Sequence, residues 1–89
     1  MGDLENETVV SEFVSVSDKV TVIIVDQLNV EASEVIATAR LQEDLGADSL
    51  DVIELMMYVE KDFMISIPDE VVEQVKTVGE VIDYVESRV

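Results

Sequence analysis

One segment constrains the fold more than any other. Residues 48–63, "DSLDVIELMMYVEKDF", carry apolar side chains at helical spacing. On an ideal helix, at ~100° per residue, Val52, Leu55, Met56, Val59 and Phe63 gather within about a third of the circumference. That is a core face, and it requires other elements to cover it. Leu50, Ile53 and Met57 form a second, separate apolar stripe. Glu54 and Lys61 border this stripe on one side and Glu60 on the other, while Asp51, Tyr58 and Asp62 fall away from the core face. One helix of a small bundle needs one buried face. The second stripe therefore either packs beneath a loop or stays partly exposed as a docking strip with an acidic rim. Met suits the latter, being flexible and adaptable.

The flanking sequence supplies partners for the core face. In "SDKVTVIIVDQLNV", Val20, Ile23, Ile24 and Leu28 fit a helical stripe, with Ser17 as a cap. The β-branched run Thr21–Val25 would also suit a buried strand. A helix is preferred, because Asp18, Lys19, Asp26 and Gln27 fall on the opposite face. Residues 30–48 lack a sustained period and read as a long loop ending at Gly46, of a length that is often functional. In "SIPDEVVEQV", Pro68 stops the preceding element and opens a short helix, whose apolar side is Val71, Val72 and Val75. Thr77 and Glu80 stand at capping-box spacing. Val78, Val81, Ile82, Val85 and Val89 then form the stripe of a last helix. The expected fold is all-α: a small four-helix bundle of three longer helices and one short one, with a long loop between helices 1 and 2.

Composition removes whole classes of chemistry. The chain of 89 residues suffices for one modest core. It has no Cys and no His, which excludes disulfides, thiolate metal sites, thiol nucleophiles and the commonest general base. Absence of Cys fits an intracellular protein. The net charge of −16, from 21 acidic and 5 basic residues, repels phosphate backbones and argues against nucleic-acid binding. It favours encounter with proteins bearing Lys/Arg patches. No apolar run approaches ~20 residues, so no membrane span is expected. The acidic start, "MGDLENETVV", suits neither a signal nor a transit peptide. Residues 1–15 read as an acidic, frayed N-terminal extension, and 16–89 as a single domain.

Ser49 stands out within "EDLGADSLDVIELM". Asp48 and Asp51 are placed as helix cap and N3, a capping box built from aspartates. Ser49 is then the first helical residue, with no structural task for its hydroxyl. A Ser-His-Asp arrangement cannot be built here, and Lys61 lies about three turns away. An exposed serine at a helix start is better suited to being modified by another enzyme. Helix N-termini favour phosphoryl groups, and a singly charged phosphodiester is tolerated beside two aspartates more easily than a dianion. A cation loop is disfavoured: begun at Asp44, an EF-hand register places Gly46 where an oxygen ligand is needed. No dedicated metal site is expected, although clustered carboxylates attract divalent cations loosely.

Three segments together resemble the acyl carrier proteins: "DLGADSLD" at 44–51, "FMISIPDE" at 63–70 and "TVGEVIDYV" at 77–85. The similarity runs without a gap over roughly residues 16–89, making that domain an acyl-carrier domain. It implies that Ser49 bears a 4′-phosphopantetheine arm, transferred from coenzyme A by a separate holo-acyl-carrier-protein synthase with magnesium. The chain would then be no enzyme but a covalent shuttle, carrying growing fatty acyl chains as thioesters between fatty-acid synthesis enzymes. Carried over by residue, the surface docking those enzymes' basic patches is Asp48, Leu50, Asp51, Ile53, Glu54, Met57 and Glu60. The implied acyl pocket is Val52, Leu55, Val59, Ile67, Val72 and Val75. The resemblance also implies a monomer in the bacterial cytoplasm, or in a plastid or mitochondrial interior once a leader is removed. Met64 stands where many members have Gly, Leu41 replaces a common Phe, Lys61 falls where acid is usual, and Tyr58 is bulky. The alternatives are a carrier for a specialised acyl or polyketide pathway, and an acidic helical adaptor that never carries an arm.

Overall fold

A computed structural model describes residues 15–89. Helix α1 spans Val16–Leu28, α2 Ser49–Phe63, α3 Asp69–Gln74 and α4 Val78–Arg88. A short 3-10 turn, Ala32–Glu34, interrupts the long connection between α1 and α2. The all-α expectation holds, with three longer helices and one short one. The ambiguous run Thr21–Val25 is helical, because tertiary contacts with α2 and α4 override its β-branched composition.

The cap of α1 differs from the expected one. Ser15, not Ser17, accepts from the backbone N–H of Asp18 at 3.1 Å. Ser17 lies inside the helix, where its carbonyl accepts from the Thr21 hydroxyl at 2.8 Å. Ser15 thus belongs to the helix start. The expected frayed extension spans residues 1–15; Ser15 departs from it, and residues 1–14 lie outside the described residues.

Every buried residue among those described is apolar. Val20 and Ile24 of α1 meet Val52, Leu55, Met56 and Val59 of α2 and Val78, Val81 and Val85 of α4. Burial of side chains this size stabilises by roughly 1.5–3 kcal/mol each. Phe63 is only half-buried; Lys19 Nζ lies 5.6 Å from its ring centroid. Val89 departs from the expected α4 stripe: it follows the last helical residue and is exposed.

The loop between α1 and α2 is more than a connection. Val35, Ala39, Leu41, Leu45 and Ala47 all join the core. Residues 37–41 run beside 76–79, giving hydrogen bonds from Leu41 N to Lys76 O, Val78 N to Ala39 O and Gly79 N to Ala37 O, each 2.9–3.0 Å. Glycine at 79 eases this contact, since a Cβ there would lie 3.0 Å from the Ala37 carbonyl oxygen, tighter than most such contacts. The loop ends at Gly46, whose φ of 76° delivers the chain into the α2 cap.

Pro68 sits one place earlier than expected. It is the cap residue of α3, with extended ψ, and its carbonyl accepts from Val71 N and Val72 N. The Tyr84 hydroxyl donates to the Ser66 carbonyl at 3.2 Å, fixing the α2–α3 connection onto α4.

Candidate functional site: the start of α2 and its cleft

The local sequence builds the site from its cap. Asp51 N donates to Asp48 Oδ1 at 2.8 Å, and Asp48 N donates to Asp51 Oδ2 at 3.1 Å. Both aspartates are thereby engaged in a reciprocal capping box. Ser49 is the first residue of α2, is exposed, and its hydroxyl has no hydrogen-bond partner among the described residues. Nothing in the helix needs that oxygen.

Beside Ser49 opens a cleft of about 400 Å³, between the loop at 40–43, the first turns of α2 and the end of α3. Leu41, Val52, Ile53, Val72 and Val75 form its apolar wall; Arg40, Gln42, Glu43, Glu73 and Lys76 form its polar edge. A second cleft of about 280 Å³ continues along α2 and shares Ile53, Val72 and Glu73 with the first. Met56, Met57 and Ile67 add to its apolar lining.

The six residues expected to line an acyl pocket divide. Val52, Val72 and Val75 border the first cleft, and Ile67 and Val72 the second. Leu55 and Val59 are fully buried and border neither; they lie in the packed core beneath. Leu41 and Met56 were not expected at the clefts, and Ile53 belongs to them as well as to the outer strip. Leu41 lies in a loop without periodicity, so no pattern could reveal its inward direction.

The second stripe of α2 is not covered by the loop. Leu50, Ile53 and Met57 are 61%, 48% and 52% exposed. Asp48 and Glu54 are exposed and Asp51 half-buried beside them. Glu60 is also half-buried, because its carboxylate accepts from Ile67 N at 2.6 Å and so holds the α2–α3 connection. An exposed apolar strip edged by carboxylates matches the composition of a partner-binding surface.

The loop edge carries its own charge pair. Arg40 reaches Glu43 at 3.0 Å and Asp44 at 3.3 Å. The Asp44 carboxyl also accepts from Arg40 N at 2.8 Å. That backbone hydrogen bond, followed by the guanidinium hydrogen bond, holds the Asp44 pKa below its ordinary value. The same side-chain hydrogen bond and the two carboxylate charges raise that of Arg40. No group of acidic residues among those described is arranged to hold a metal ion. No helix among them is long and apolar enough to cross a membrane.

Comparison with known proteins agrees with this geometry. Residues 18–85 match the family described as "Phosphopantetheine attachment site". Acyl carrier proteins from two strains of Porphyromonas gingivalis are 57% identical over 72 residues, covering 81% of this chain and 92% of theirs. The solved acyl carrier protein of Enterococcus faecalis superposes with a TM-score of 0.72 at 36% identity, over 83% of this chain and 94% of that one. A candidate acyl carrier protein from Mycobacterium tuberculosis gives 0.77 at 29% identity, over 82% and 97%. The chain belongs to the acyl carrier proteins, helical carriers defined by a phosphopantetheine attachment site. Its prosthetic group is 4′-phosphopantetheine, and its role is that of a carrier, not a catalyst. The exposed, uncommitted hydroxyl at the head of α2, next to an open cleft, suits such an arm.

Proposed function

We propose that Ser49 is the residue that takes the arm, and that the protein shuttles growing fatty acyl chains on it. One observation carries the assignment: the hydroxyl of Ser49 is free because Asp48 and Asp51 complete the helix cap without it. A separate holo-synthase, with magnesium and coenzyme A, performs the transfer. The Ser49 oxygen forms the new P–O bond, the pyrophosphate P–O bond breaks, and 3′,5′-ADP departs. The serine proton passes to a base on the synthase, since this chain has neither His nor Cys. The arm supplies the terminal thiol on which acyl groups ride as thioesters; the chain has no thiol of its own.

The protein's own residues present and shelter that cargo. Leu50, Ile53 and Met57 offer an apolar strip, and Asp48, Asp51, Glu54 and Glu60 set a negative field for basic patches on the synthase and on fatty-acid synthesis enzymes. Val52, Val72, Val75 and Leu41 give an acyl chain apolar surface within reach of Ser49. We place the carrier in the bacterial cytoplasm, acting as a monomer. No observation favours a specialised pathway or an adaptor without an arm.

The test is an intact-mass measurement after incubation with holo-synthase, magnesium and coenzyme A. The parent chain gains one phosphopantetheine and Ser49→Ala gains none. An adduct that survives in Ser49→Ala moves the site elsewhere.

A further inference from the structure

Two of the five basic residues in this chain, Arg40 and Lys76, border the same cleft as Ser49. Their charges are not equivalent. Arg40 is held by Glu43 and Asp44. Lys76 forms no ion pair among the described residues, and its side chain is exposed. Its backbone, by contrast, is fixed on both sides. Lys76 N donates to Glu80 Oε1 at 2.6 Å, and Lys76 O accepts from Leu41 N at 2.9 Å. The ammonium therefore swings from an anchored stem at the edge of the cleft.

The nearest charged residues to Ser49 along α2 have the opposite sign. Asp48 and Asp51 flank it and remain fixed in the capping box. An anion attached to Ser49 is repelled by the aspartates and drawn toward Lys76, the cation on the cleft edge that has no ion-pair partner among the described residues. We infer that Lys76 is a positioning residue for the arm: its ammonium attracts the phosphodiester on Ser49 and leans the arm, with its acyl chain, toward the cleft. Glu73, on the α3 side of the same cleft, opposes the phosphodiester and leaves the Lys76 side the favoured approach. The attraction is an exposed one, so it biases orientation and weakens with salt. This inference rests on Ser49 bearing the arm.

The experiment loads the full chain and its Lys76→Arg, Lys76→Gln and Lys76→Glu variants with an octanoyl arm, using octanoyl-coenzyme A, magnesium and holo-synthase. Intact mass records loading, and thermal melts confirm the fold. Cleavage of the thioester by hydroxylamine then reports how much of the chain is sheltered. Lys76→Gln should cleave about two- to fivefold faster than the parent, the range an exposed charge pair supplies. Lys76→Glu should cleave faster still, Lys76→Arg should match the parent, and high salt should bring all four rates together. The amide resonances of Val72 and Val75 should shift less on octanoylation in Lys76→Glu than in the parent. Equal rates at low salt in four fully loaded proteins overturn the role of Lys76 alone. So does a Lys76→Arg variant that cleaves as fast as Lys76→Gln. No adduct on the parent chain overturns the assignment of Ser49, and the inference with it.

Discussion

Met64 shows what a single residue can cost. It closes α2 in the left-handed region, with φ 57° and ψ 46°, while its N–H donates to the Glu60 carbonyl. A side chain in that conformation costs roughly 1–2 kcal/mol, a penalty glycine escapes. Asn29 ends α1 with the same φ, but its short polar side chain tolerates the geometry better. Met64 is 89% exposed and so contributes little packing in return. Met64→Gly should stabilise the fold by about 1 kcal/mol, raising Tm by roughly 4–8 °C for a domain of this size. A melt with unchanged or lower Tm would show that Met64 makes contacts worth as much as its strain. The family pattern, with Gly common there, exposed this departure from the sequence; the left-handed backbone explains it.

Helix α2 separates its tasks around its circumference. Its inner face packs into the core, its first turn carries the exposed Ser49, and its outer stripe is left exposed, the docking surface proposed above. This separation makes the docking surface testable without unfolding the protein. Leu50→Ala and Met57→Ala remove apolar surface from side chains that are more than half exposed. Each should raise the KM of the holo-synthase for this chain about fivefold or more, the loss of roughly 1 kcal/mol or more expected at an interface anchor. Stability should change by no more than about 0.5 kcal/mol. Steady-state transfer to Ser49, with thermal melts alongside, checks both parts. An unchanged KM in both variants would remove the strip from the docking surface.

At the scale of the whole molecule, charge sets the balance. A net charge of −16 is carried by 89 residues, and the ion pairs found among the described residues centre on Arg40 alone. Self-repulsion of this kind opposes compaction, and screening relieves it over about 10 Å at 0.1 M salt. Added salt or millimolar magnesium should therefore raise Tm by several degrees. A fall, or no change, would mean that repulsion is already offset within the fold. The same excess charge steers the carrier toward basic surfaces, so binding to partners should weaken as salt rises even while the fold strengthens.

The sequence by itself determined the parts governed by local rules. Helical period located the core faces of α1, α2 and α4, and cap spacing identified Asp48–Asp51 and Thr77–Glu80 before any contact was known. The absence of His and Cys argued against a catalytic role for Ser49 and for the reading proposed above, a residue modified by another enzyme. Only the tertiary structure decided what depends on distant neighbours. Periodicity could not say whether Leu50, Ile53 and Met57 would be covered, because that depends on where the loop runs. The loop instead turns Leu41, Leu45 and Ala47 inward and pairs with residues 76–79. That pairing, between segments 35 to 42 positions apart in the chain, brings Lys76 to the cleft beside Ser49. A long-range contact of this kind leaves no local signature, so the neighbourhood of the serine became visible only in the folded molecule.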